Sequence, residues 1–143
     1  MMGPCTADKT EDWPSAAALE NMDPVELSYL HFNKGESYIG NGVCALRFGL
    51  SNGQISPKFG PNSITESKDF ERTVRKIEVL WNTGRLVGLI FYDAFSNIIC
   101  GKKGGDNVTG EQIIELTGNQ HIVGFSINHD NWVRGIAFRI SEV

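Results

Sequence analysis

The sequence predicts an all-β chain, and three observations predict it. Sixteen glycines and five prolines punctuate 143 residues, a composition that suits short strands joined by turns. The apolar stretches are brief and rich in Val, Ile, Phe and Tyr, and none keeps a 3.6-residue period long enough for a substantial helix. A turn followed by an alternating apolar strand then recurs three times along the chain, and internal repetition outranks other signals. At this length one domain is expected, with a core that stands without disulfides or metal.

Residues 1–26 read as an acidic N-terminal arm and residues 27–143 as the domain. In the arm, "DWPSAAAL" and "DPVEL" each offer a turn or a short helix start, the second with Asp23 as N-cap, Pro24 at the first helical position and Glu26 at the third. A short extended or partly helical arm is therefore expected, with Trp13 and Leu19 able to tuck onto the body. A disordered tail is the alternative. "VELSYLHF" suits a strand as well as a helix start, because periodicity over so few residues does not choose.

The repeat begins near residue 27. "GNGVCALRFGLSNG" (40–53), "NTGRLVGLIFYDAFSN" (82–97) and "HDNWVRGIAFRISEV" (129–143) each run from a Gly/Asn turn into an alternating strand. Phe48, Phe91 and Phe138 hold the matching position, 43 and 47 residues apart. An apolar segment precedes each turn ("LSYLHF", "VRKIEVLW", "HIVGFSI"), and "NGQISPKFG" and "SNIICGKKGG" follow the first two as hairpin-like returns. The pattern predicts three copies of a four-strand unit of about 45 residues, each too small to bury its apolar face alone. Within "VGLIFY", Val87, Leu89 and Phe91 share one face and Gly88, Ile90 and Tyr92 the other, as the strand period requires.

Charge and composition exclude several function classes. Residues 1–31 carry a net charge of −5 and the remainder +1, so no broad basic face is available for nucleic acid. Cys5, Cys44 and Cys100 are odd in number and widely spaced, which predicts reduced thiols, the last two as small buried hydrophobes. No zinc spacing occurs, and no metal or cofactor is expected. No leader-like or membrane-spanning run is found, so the reading is a cytoplasmic or intracellular protein. "NVT" at Asn107 is then a plain loop rather than a glycan acceptor. "IICGKKGGDNVTGEQIIEL" (98–116) superficially suggests a phosphate loop, but Lys102 and Lys103 precede Gly104 and Gly105 and no Ser or Thr follows a Gly-Lys. His31, His121 and His129 lie far apart with no nucleophile-elbow context, and no enzyme is expected.

"RKIEVLWNTGRLVGLIFYD" through "GKKGGDNVTGEQIIELTGNQHIVGFSINHDNWVRGIAFRI" resembles the jacalin-related lectins, with Glu111, Ile113, Leu116, Ile122, Gly124, Arg134, Ile136 and Phe138 at the pattern positions. "ALRFGLSNGQISPKFG" is similar to another segment of that family. The resemblance covers residues 27–143, with the unit that resembles the family's start near residue 74. It implies a β-prism of three four-stranded Greek-key sheets about a pseudo-threefold axis.

For the site, the resemblance implies that "GKKGG" lines a sugar pocket, where glycines let a hydroxylated ring approach backbone N–H groups. The plain alternative is a tight return loop. In the family's G-x-x-x-D turn the acid accepts from sugar hydroxyls; here Cys44, Val87 and Arg134 stand in its place in the three turns. The candidate ligand residues are Trp81, Asn82, Gly84, Arg85, Gly101, Lys102, Lys103, Gly104 and Gly105, with Asn128, His129, Asp130, Asn131 and Trp132 as a secondary loop. Arg and Lys there suit sulfate or phosphate and Trp81 suits a sugar face, so anionic glycans or phosphorylated headgroups are the expected ligands. Solvated loop charge and sheet packing of Trp81 are the bland alternatives. Two readings stay open: a carbohydrate-binding module, or a non-catalytic assembly protein whose prism is a protein-interaction scaffold, docked through its arm or forming homo-oligomers.

Overall fold

The computed structural model describes residues 1–3, 5, 7, 9–13, 27–32, 46–51, 53–59, 66–70, 73–84, 86–100, 108–130 and 132–142. These form ten strands and no helix. The strands are β1 (Lys9–Trp13), β2 (Leu27–Phe32), β3 (Leu46–Leu50), β4 (Glu66–Asp69), β5 (Lys76–Trp81), β6 (Leu86–Tyr92), β7 (Ile98–Cys100), β8 (Gly110–Glu115), β9 (Gln120–His129) and β10 (Val133–Glu142). All pairings are antiparallel, in three sheets ordered β1-β9-β10, β3-β2-β4 and β7-β6-β5-β8.

Each central strand follows from its sequence. In β3, Leu46, Phe48 and Leu50 alternate inward, and in β5 Ile77 and Val79 do the same. Leu89 and Phe91 of β6 lie opposite Val79 and Ile77, so the register puts the bulky side chains on one face. The opposite face of that sheet is also apolar in part, where Leu80, Val87 and Ile90 cluster with Tyr92. A register shift between Leu80 and Trp81 marks a bulge that sends Leu86 to the main core and Val87 to the second cluster, so Val87 does not share the face of Leu89 and Phe91 as strict alternation predicts.

The inner faces of the three sheets meet in an aromatic centre. Phe48 contacts Phe125 at 4.5 Å and Phe91 at 6.3 Å between ring centroids, and Phe91 contacts Phe138 at 6.1 Å. The three phenylalanines of the sequence repeat thus stand on β3, β6 and β10 and converge. Phe59, Phe70 and Trp13 extend the cluster through Phe125 and Phe91.

The acidic N-terminal segment is built into the fold in its described part. Met2 exchanges two 2.9 Å backbone hydrogen bonds with Ile136, on β10, and Cys5 donates to the Arg134 carbonyl at 2.9 Å. The chain then crosses to the other side of the hairpin, where β1 pairs with β9 from Lys9 opposite His129 to Trp13 opposite Phe125. Asn128 secures this crossing: its amide donates to the Ala7 carbonyl at 2.9 Å and Thr10 Oγ1 at 3.0 Å, and its oxygen accepts from the Ala7 N–H at 3.0 Å. Leu19 lies outside the described residues, as do the "DPVEL" helix start and Cys44; of Cys100 only the backbone is described.

Two expectations follow. Asn128→Ala leaves the Ala7 amide groups without their partner, at a cost of about 1–3 kcal/mol. Urea denaturation should show that loss, and hydrogen exchange should show the amides of residues 9–13 opening before the rest of the sheet. On the second cluster, Tyr92 Oη donates to Glu78 Oε1 at 2.8 Å, and burial first, the Glu78 carboxylate second, push the phenol up from 10.0 to about 12. Because the folded value is raised, the stability linked to it is complete below pH 10 and is lost as pH rises through about 12. Ultraviolet titration should find Tyr92 ionising late, and Glu78→Gln should lower its value without restoring the ordinary one.

Candidate functional site

The turn after β5 carries Asn82 and Gly84, and the hairpin turn between β9 and β10 carries Asp130 and Trp132. Each turn is closed by its own side chain. Asn82 Oδ1 accepts from the Gly84 N–H at 2.8 Å, and Asp130 Oδ1 accepts from the Trp132 N–H at 2.8 Å. Short polar side chains bond their own backbone two residues on, which is why Asn and Asp stand at these corners.

Arg134 joins the two turns. Its Nε donates to Asp130 Oδ1 at 3.0 Å while Nη1 donates to the Gly84 carbonyl at 2.8 Å. The guanidinium therefore bridges from the start of β10 to the turn between β5 and β6. The Trp132 N–H and then the Arg134 guanidinium hold the Asp130 carboxyl below the usual carboxylate range, so it is ionised at neutral pH. Gly3 fits beneath this corner with φ +112°, a left-handed conformation, where a Cβ would stand 2.8 Å from the Arg134 carbonyl oxygen and 2.9 Å from Leu86.

The sequence-predicted residues divide accordingly. Asn82, Gly84, Asp130 and Trp132 come together at one surface through Arg134. Trp81 is placed differently: its indole lies on Gly110, the residue opposite it on β8, and packs against the main core. This is sheet packing of an aromatic over a glycine. Asn128 is the buried clamp of residues 7–10, described above. His129 packs edge-on against Phe59 at 5.0 Å, with Nε2 3.4 Å from Glu11 Oε1. Glu11 is held below its ordinary value chiefly by Lys9, whose ammonium lies 2.6 Å away.

Arg85, Gly101, Lys102, Lys103, Gly104, Gly105 and Asn131 lie outside the described residues. Past these residues, the Thr109 N–H donates to the Trp81 carbonyl at 2.9 Å. Arg134 is the site residue that sequence reasoning missed. The signal available was its position, where the lectin pattern that the sequence resembles has an acid. Among the described residues no group of three or more His, Cys, Asp or Glu side chains gathers as a metal site, and no helix is long and apolar enough to cross a membrane.

A Cβ added at Gly110 would penetrate the Trp81 indole. Gly110→Ala should therefore cost about 1–3 kcal/mol through overpacking. Thermal melting followed by tryptophan fluorescence tests both the loss and the displacement of Trp81.

Compared with known proteins, the chain matches no protein-family model and no curated protein.

Proposed function

We propose that the chain is a non-catalytic, lectin-like carbohydrate-binding module on a β-prism of three Greek-key sheets. The strand orders support the prism. In the third sheet β5, β6 and β7 are hairpin neighbours and β8 returns beside β5, which is Greek-key connectivity. The second sheet follows the same course if Ile55 and Phe59, which bridge to β3, are counted as its third strand and β4 as the returning one. The first does so with Met2 bridging to β10 and β1 returning beside β9.

One observation carries the binding reading: the Arg134–Gly84 bond at 2.8 Å. It joins two of the turns that the family resemblance marks as ligand loops. Asp130 is half-exposed and ionised, Arg134 still has donors to offer, and Trp132 stands half-buried in the same turn. Such a set of fixed polar groups near an aromatic suits a polyhydroxylated ring. Lys102 and Lys103 extend the reading to sulfated glycans or phosphorylated headgroups, which charged donors bind best.

A scaffold role is favoured by a separate observation. Phe95 is 85% exposed on a turn that Asp93 closes by accepting from the Phe95 and Asn97 N–H groups, both at 2.9 Å, and Ile98 beside it is 53% exposed. A rigid turn presenting a large apolar side chain suits a protein contact. Arm docking is the less favoured version, since residues 9–13 are already paired within a sheet.

A glycan array of mannose, galactose and sulfated glycosaminoglycans, probed with wild type and a Lys102→Ala, Lys103→Ala variant, tests the proposal. Sulfated-ligand binding that the variant loses is the expected result. Silence of the wild type on every sugar would overturn the lectin reading and leave the scaffold.

A further inference from the structure

We infer that Gly3 is a positioning residue for the candidate site: lying between the backbone bonds of Met2 and Cys5, it seats the N-terminal segment on the β10 bulge from which Arg134 reaches the Gly84 turn. Its effect on a ligand rests on the carbohydrate reading above, whereas its effect on the two turns does not.

Arg134 is the extra residue of a bulge. Val133 lies opposite His129 and Gly135 opposite Asn128, so β10 advances two residues where β9 advances one, and no residue of β9 stands opposite Arg134. A bulge of this kind interrupts the alternation of a strand and re-aims the side chain that it carries. It also leaves backbone groups to be satisfied elsewhere. The N-terminal segment satisfies them from the other edge of β10. The Cys5 N–H donates to the Arg134 carbonyl at 2.9 Å, and Met2 and Ile136 exchange two bonds of 2.9 Å on the far side of Gly135.

Gly3 sits between these two attachments, with φ +112°. A Cβ there would stand 2.8 Å from the Arg134 carbonyl oxygen, 3.1 Å from Gly135 Cα and 2.9 Å from Leu86 Cδ2. Two of these atoms are backbone of the bulge, and the third belongs to the first residue of β6, two residues beyond the carbonyl that Arg134 bonds. One glycine thus touches both strands whose turns the guanidinium joins. The approach is equally close from the other side, where a Cβ at Gly135 would stand 2.5 Å from Cys5 Sγ and 3.3 Å from the Met2 carbonyl oxygen. Only backbone without a side chain fits there. Any side chain at Gly3 lifts the segment from the bulge or moves the bulge away from β6. A displacement of about 1 Å takes the 2.8 Å Arg134–Gly84 bond beyond hydrogen-bond range.

The test compares Gly3→Ala and a chain lacking residues 1–3 with Gly53→Ala, each checked for a native amide spectrum. Gly53 is the control because it has φ +90° but nothing within 4 Å of an added Cβ, so it carries backbone strain without the contact. The first readout is the Asp130 carboxyl, titrated by carbon NMR. In both N-terminal variants it should rise part of the way to its ordinary value, because the Arg134 contribution is lost while the Trp132 N–H remains; in Gly53→Ala it should not move. The second is calorimetric titration with heparin, mannose and galactose, in which both N-terminal variants should bind the preferred sugar about tenfold more weakly and Gly53→Ala should match wild type. An Asp130 titration unchanged in the folded N-terminal variants would overturn the positioning role, as would an equal shift in Gly53→Ala. A shifted titration with undiminished sugar binding would support the positioning role and remove this corner from the carbohydrate site. Failure of wild type to bind any sugar would remove the carbohydrate reading, and the Asp130 titration would still decide the role of Gly3.

Discussion

Three sheets, each too narrow to bury a face on itself, share one aromatic centre, and the remaining architecture is arranged around it. Phe48 sits between Phe125 and Phe91, with Phe138 reached through Phe91, and the Phe48–Phe91 and Phe91–Phe138 pairs cross at 80° and 82°. Edge-to-face contacts of this kind add about 0.5–1.5 kcal/mol each beyond the area they bury. They also fix angles. A ring locked edge-on against rings from two other sheets constrains how those sheets approach, which aliphatic packing alone does loosely. The turns at the sheet ends, including the two that Arg134 joins, inherit their positions from that centre.

The strands that face it were legible because their alternation is strong. "LRFGL", "LVGLIFY" and "RGIAFRI" each place a phenylalanine at the repeat position, and all three phenylalanines reach the core. β1 was not legible. "KTEDW" carries three charges in five residues and has no strand-forming signal of its own. It becomes a strand because β9 offers an edge and because Asn128, 121 residues from Ala7, anchors the approach. Tertiary pairing overrides propensity there. "ESKD" in β4 is a second polar strand formed beside a stronger neighbour.

The site was legible in parts and illegible as a whole. Turn chemistry in "WNTG" and "NHDNW" marked both loops, since Asn and Asp bond their own backbone. That they form one surface depends on Arg134 reaching the Gly84 carbonyl across 50 residues of sequence, and no local pattern encodes such a contact. Trp81 shows the converse. An aromatic beside a glycine-rich loop reads as a platform for a ligand, and only the β5–β8 register reveals that Gly110 is the surface it covers. The acids of the N-terminal segment carry a similar lesson: Glu11 pairs with Lys9, and Asp12 accepts from Ser126, so they help hold an edge strand.

The hydrogen bonds between Met2 and Ile136 carry a consequence for how the chain acquires its shape. During synthesis, the segment that pairs with β9 and β10 emerges well before them and must wait for more than a hundred further residues before either partner strand exists. Until then its backbone groups are solvated and its Trp13 has no Phe125 to cover it. Long-range closure of this kind makes for slow folding. The two sheets built from residues 27–115 can form while that early segment is still unpaired, and the hairpin of β9 and β10 then captures it on both edges. These residues, made early, are thus folded late, and for that interval they are open to a chaperone or a protease.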